Sequence, residues 1–191
     1  AIYVEGISSI TPADLSEADE LGYRVKLLGV AVRTPKGIEQ RVHPTMVRKD
    51  SAIAQVMGVT NAVTIDAADI NPLTLVGPGA GGAATASAVL SDIGDIARGV
   101  RTAPFGRPTG RLTAVRKAPM QRHEGGYYIR LVARDKPGTA ATIATRLAEQ
   151  EISLESIVQR HDPAHLGRDT KAGSVPVILI TYATSEDAVR K

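Results

Sequence analysis

Residues 76–90 read VGPGAGGAATASAVL. Gly77, Gly79, Gly81 and Gly82 bare the backbone over a short run, and an alanine-rich segment follows at once. Alanine is the best helix former. Val89, Ile93 and Ile96 then recur at helical spacing, so the pattern predicts a helix over 83–98. Residues 60–66 and 73–76 read as strands just upstream. The glycines therefore sit between a strand and a helix start, where a flexible linker would not belong. Free N–H groups at a helix start can face an anion or a polar ligand. Gly77, Gly79 and Gly82 occupy the first, third and sixth positions of GxGxxG, a weak pattern alone. No strand–helix–strand unit with a downstream acidic residue follows, so the run does not open a Rossmann unit. Two readings stand: close approach of a ligand, or tight packing of helix on strand.

Towards the N-terminus, residues 1–10 read as a strand. Thr11-Pro-Ala-Asp opens a helix, with Thr11 as cap, Pro12 at the first helical position and Asp14 favouring the dipole. Gly22 stops it. Residues 23–33 and 38–47 read as strands joined by Thr34-Pro-Lys-Gly37, a hairpin. Residues 51–56 form a short helical turn. The apolar, Met-less start suggests a chain that begins in the middle of a larger protein, and it carries no signal peptide.

Towards the C-terminus, residues 98–122 hold Arg98, Arg101, Arg107, Arg111, Arg116, Lys117 and Arg122, three prolines and no acidic residue. This reads as a solvated inter-domain linker, with a basic patch for an anionic partner as the other option. Beyond it the pattern runs strand (127–133), helix (138–150), strand (152–160), polar loop (161–173), strand (175–182) and the start of a helix at Ser185. A final strand would complete a ferredoxin-like βαββαβ unit. The turn Asp135-Lys-Pro-Gly138 with Thr139 offers N–H groups at a helix start, where an amino acid's carboxylate could dock; a plain turn is the alternative.

Composition bounds the chemistry. The chain has 191 residues, 43% hydrophobic and 23% charged, with net charge +3. The absence of cysteine excludes disulfides, thiol catalysis and Cys-based zinc sites, and fits a reducing cytoplasm. Aromatics make up only 3%, too few for a base-stacking surface; neither nucleic acid nor a membrane is expected as a partner. His43 reads as structural. His161, Asp162 and His165 form a weak metal pattern on a polar loop, so no metal is expected. Lys26 and Glu5 lie in strand-like runs and read as solvent-facing, although a lysine so placed could act in proton transfer. No catalytic set can be assembled from this chain.

Several segments carry a resemblance. Val4-Glu-Gly-Ile, residues 18–31 (ADELGYRVKLLGVA), Arg41-Val-His-Pro-Thr, Thr60-Asn-Ala-Val and Gly77-Pro-Gly-Ala-Gly with Thr85-Ala-Ser-Ala-Val come in order and with the spacing of homoserine dehydrogenases. Residues 127–191, with Asp135-Lys-Pro-Gly, Ile152-Ser-Leu-Glu-Ser and Val175-Pro-Val-Ile-Leu-Ile-Thr, resemble the ACT domain that follows the catalytic part in single-function bacterial members. The resemblance implies an α+β fold in three parts. Residues 1–100 would be the end of the catalytic, dimerisation domain. Residues 101–124 would be a basic Pro/Gly linker. Residues 125–191 would be an ACT domain without its last strand, leaving a sheet edge open.

The resemblance also implies interconversion of L-homoserine and L-aspartate 4-semialdehyde with NAD or NADP, in threonine and methionine biosynthesis. Threonine would be the feedback effector, and the assembly a homodimer or homotetramer. The family's Rossmann domain, its catalytic lysine and aspartate and its metal site lie upstream of the matching segments. This chain alone is therefore expected to be inactive, with no catalytic residue of its own. By position in the family, Gly81 contacts the cofactor, and Gly79 is a second candidate. Asp135, Gly138 and Thr139 are the candidate effector residues. Two departures stand out: Asp66-Ala-Ala-Asp-Ile-Asn replaces a Gly-Asp turn, and Tyr182 stands where the family often has histidine. The competing reading is a non-catalytic amino-acid-binding and dimerisation module.

Overall fold

The computed structural model describes residues 2–103, 105–118, 124–159 and 173–189. The chain divides into two compact units: residues 5–28 with 42–116, and residues 1–4 and 29–41 with 117–191.

The first unit opens with helix α1, Pro12–Glu20. Its start is the expected one. Asp14 N–H donates to Thr11 Oγ1 at 3.3 Å while Thr11 N–H donates to Asp14 Oδ2 at 2.8 Å. Each partner thus satisfies a backbone or side-chain group the other leaves open, a capping box. Gly22 ends the helix with φ +84. Lys49 then ties that end down: its N–H donates to the Gly22 carbonyl, and Nζ reaches both the Asp19 carbonyl and, at 2.7 Å, Asp19 Oδ1. The hydrogen bond from Lys49 holds the Asp19 carboxyl below the usual carboxylate range.

Strands β2 (Tyr23–Thr34) and β3 (Gly37–Arg48) form a long hairpin through Pro35 and Lys36. The turn closes by Thr34 Oγ1 donating to the Gly37 carbonyl at 2.9 Å. The strand expected over residues 1–10 is only β1, Tyr3–Val4, which pairs with β3 in the sheet order β1-β3-β2. It ends early because Ile10 N–H folds back to the Ile7 carbonyl and makes a turn.

A 3-10 turn, Ala52–Gln55, leads to the hairpin β4 (Thr60–Ala67) and β5 (Ile70–Pro78). The two are antiparallel, with Asn61 opposite Gly77 and Thr64 opposite Thr74. Helix α2, Gly82–Ala97, follows. Little of this unit is dry. Among the described residues its buried apolar ones are Ala18 and Ala54. Val63, Ile65, Leu73, Leu75, Leu90 and Ile96 are all exposed, Ile96 at 74%.

The second unit holds the main core. Strands β7 (Tyr128–Arg134), β8 (Leu154–Gln159) and β9 (Ser174–Thr181) form a sheet in the order β7-β9-β8, with α3 (Thr139–Glu149) between the first two. Both ladders on β9 are antiparallel. β9 is the central strand, and Val175, Val177, Ile178, Leu179 and Ile180 along it are buried. Among the described residues Pro176 pairs with Val132 of β7, while the β8 ladder reaches Val177. This is three strands of a βαββαβ unit, and the α+β expectation holds. Two short strands, β6 (Glu124–Gly125) and β10 (Thr184–Ser185), pair with each other, and α4 (Glu186–Val189) follows. The far end of the basic segment belongs to this unit too. Ala118 is buried, its N–H donates to the Ile38 carbonyl at 2.9 Å, and Lys117 bridges Ile38.

Candidate functional site

The glycines at the β5–α2 junction have different reasons to be glycine. Gly81 caps α2 with φ +125 and ψ 141 and no side-chain cap. That backbone conformation is close to glycine-only. A Cβ built on Gly81 or Gly82 would meet nothing within 4 Å. The helix start is thus bare, uncapped and open. Gly79 is unlike them. Its φ is not positive, but a Cβ there would meet Cγ, Oδ1 and Nδ2 of Asn61 closer than the 3.0 Å that real Cβ atoms keep. Its N–H is fixed to the Val59 carbonyl at 3.0 Å. Two different local reasons are therefore present: a side chain packed against Gly79, and open bare backbone at Gly81. Asn61 was not singled out from sequence. Its contact comes from cross-strand register, eighteen residues from Gly79, which a local pattern does not reveal.

Gly138, with φ +89, begins α3. Asp135 accepts from Gln159 Nε2 at 3.0 Å, and its N–H donates to the Gly173 carbonyl. Thr139 uses its hydroxyl on the Arg134 carbonyl and its N–H on the Lys136 carbonyl. Asp135, Gly138 and Thr139 are thus brought to one turn, and Thr139 builds that turn with its own polar groups.

The remaining candidates have structural partners. His43 Nδ1 lies 2.8 Å from the Pro44 carbonyl, so that nitrogen donates. Lys26 Nζ donates to the Val56 carbonyl and Arg24 to the Ala54 carbonyl, covering the end of the 3-10 turn. Lys26 was expected to face solvent; it is part-buried because that carbonyl holds it. Thr181 is buried and accepts from Tyr127 N–H at 3.0 Å, while Tyr182 is 56% exposed. His123, His161, Asp162 and His165 lie outside the described residues. Among the described residues no three acidic or histidine side chains gather as a metal site, and no helix is long and apolar enough to cross a membrane.

Comparison with known proteins picks out two stretches of the chain. Residues 1–93 match the family model "Homoserine dehydrogenase", and residues 127–185 match "ACT domain". A homoserine dehydrogenase of Pseudomonas aeruginosa is 40% identical over 98% of this chain. The crystal structure of a homoserine dehydrogenase from Thiobacillus denitrificans superposes with a TM-score of 0.81 at 38% identity, covering 99% of this chain. One from S. aureus, at 23% identity and a TM-score of 0.63, shows likeness of fold. The chain spans 43% of the P. aeruginosa relative and 42% of the T. denitrificans chain.

Proposed function

Because residues 1–93 belong to the homoserine dehydrogenase family and residues 127–185 to the ACT domain family, we propose that this chain is the C-terminal part of an enzyme interconverting L-homoserine and L-aspartate 4-semialdehyde. NAD or NADP, when bound, supplies the hydride chemistry. This chain's contribution is the uncapped start of α2, where Gly81 turns bare backbone outward for the cofactor to approach. The observation that carries this is the open, positive-φ Gly81 at a helix N-terminus without a side-chain cap.

Residues 1–100 act as the end of the catalytic and dimerisation domain, 101–124 as a linker and 125–191 as the regulatory domain. Asp135, Gly138 and Thr139 mark the turn where an amino-acid effector, threonine by family likeness, would bind. The exposed apolar side chains of β4, β5 and α2 support a homodimer or homotetramer, since patches of this kind mark interaction surfaces. The pathway is threonine and methionine biosynthesis, a cytoplasmic one.

The test is homoserine oxidation followed by nicotinamide absorbance. The 191-residue chain alone is expected to show none, and the full-length protein containing it is expected to be active. Turnover by the chain alone would overturn this reading and return Lys26, Glu5 and His43 to consideration. A non-catalytic amino-acid-binding module is the second reading. It is favoured by one observation: among the described residues the best-buried strand, β9, lies in the ACT part.

A further inference from the structure

We propose that Asn61 is a positioning residue for the cofactor loop, and that Gly79 is glycine for Asn61 rather than for the ligand. The inference rests on the reading that the loop ending at Gly81 meets the nicotinamide cofactor. Three facts carry it. The carboxamide of Asn61 occupies the space a Gly79 Cβ would fill. Gly79 has no positive φ, so its backbone alone would accept alanine. Asn61 stands on β4 opposite Gly77, and Gly79 N–H is anchored to Val59 on the same approach to β4. The start of the loop is therefore held by a backbone hydrogen bond to Val59 and by the Asn61 carboxamide in the space beside its bare Cα. Two residues later the chain reaches the φ +125 turn at Gly81. A displacement at Gly79 is passed on to Gly81 over two residues.

The experiment uses the full-length enzyme. Gly79→Ala is expected to raise the cofactor KM at least tenfold, while kcat and the homoserine KM change less than threefold. Adding Asn61→Ala to it removes all three clashing atoms and is expected to bring the cofactor KM back to within threefold of wild type. Melting temperatures are measured alongside. A wild-type cofactor KM in Gly79→Ala would overturn the inference. So would a double variant no better than the single one, or coupling seen only in melting temperature. Should Gly79→Ala fail to fold, the double variant decides: folding with near-normal cofactor KM supports the pair, and failure to fold refutes it. Gly81→Val separates the two levels. An unchanged cofactor KM there would sink the placement of the cofactor at the loop, whatever Gly79 and Asn61 do together.

Discussion

Gly82 offers a cleaner probe of the loop than Gly81. Valine at Gly81 is strained by φ +125 wherever the cofactor lies, at about 1–3 kcal/mol, so lost activity there mixes two causes. Gly82 lies in the first turn of α2 with an ordinary helical φ and open space for a methyl group. Gly82→Ala is expected to raise stability by about 0.4–1 kcal/mol through the unfolded chain, read by urea unfolding. If the backbone is bare for a ligand, the same variant in the full-length enzyme raises the cofactor KM. Stabilisation with unchanged kinetics would mean the ligand stays clear of Gly82. The sequence made the glycine cluster conspicuous and placed it at a strand–helix junction. It could not apportion the glycines, because Gly79 answers to Asn61 through register and Gly81 answers to a dihedral angle.

Elements were legible where local chemistry is complete in a few residues. Thr11, Pro12 and Asp14 announce α1, and Gly22 its end, and the capping box and the φ +84 residue are there. β4, β5 and the β7–α3–β8–β9 order were readable from alternation and helical spacing for the same reason. Two-residue strands β6 and β10 were not, since two residues carry no period. Nor was Thr181 recognisable as a buried acceptor. Its hydroxyl holds Tyr127 N–H at 3.0 Å, where the chain enters β7, and its own N–H returns to the Tyr127 carbonyl. Thr181→Val keeps the shape and deletes the acceptor. We expect a loss of about 1–3 kcal/mol, measured by urea unfolding with circular dichroism. A loss below a few tenths would mean that another group takes over as acceptor.

For the molecule as a whole, effector binding has a thermodynamic signature that does not depend on catalysis. A ligand that binds only the folded state stabilises it by about 2.7 kcal/mol at a hundred times its Kd. Threonine is therefore expected to raise the melting temperature of the 191-residue chain in a concentration-dependent way, and serine or homoserine less so. No shift at millimolar threonine would remove it as the effector, and the exposed Tyr182 in place of the family's histidine would be the first residue to revert. The division into units was not legible. Composition drew a border at the basic segment, whereas the hairpin residues 29–41 group with 117–191. Hydrophobic periodicity reports which face of a strand is buried, not which distant segment buries it.

That grouping has a consequence during synthesis. Ile38 and Ala118 are hydrogen-bonded neighbours in the finished fold, yet some 80 residues of chain must leave the ribosome between them. At about 5–20 residues per second, the tip of the hairpin waits on the order of ten seconds for its partner. During that interval the Ile38 carbonyl has only water, or another nascent chain, to bond. Codon usage and chaperone access over this stretch thus become part of how the protein reaches its native state.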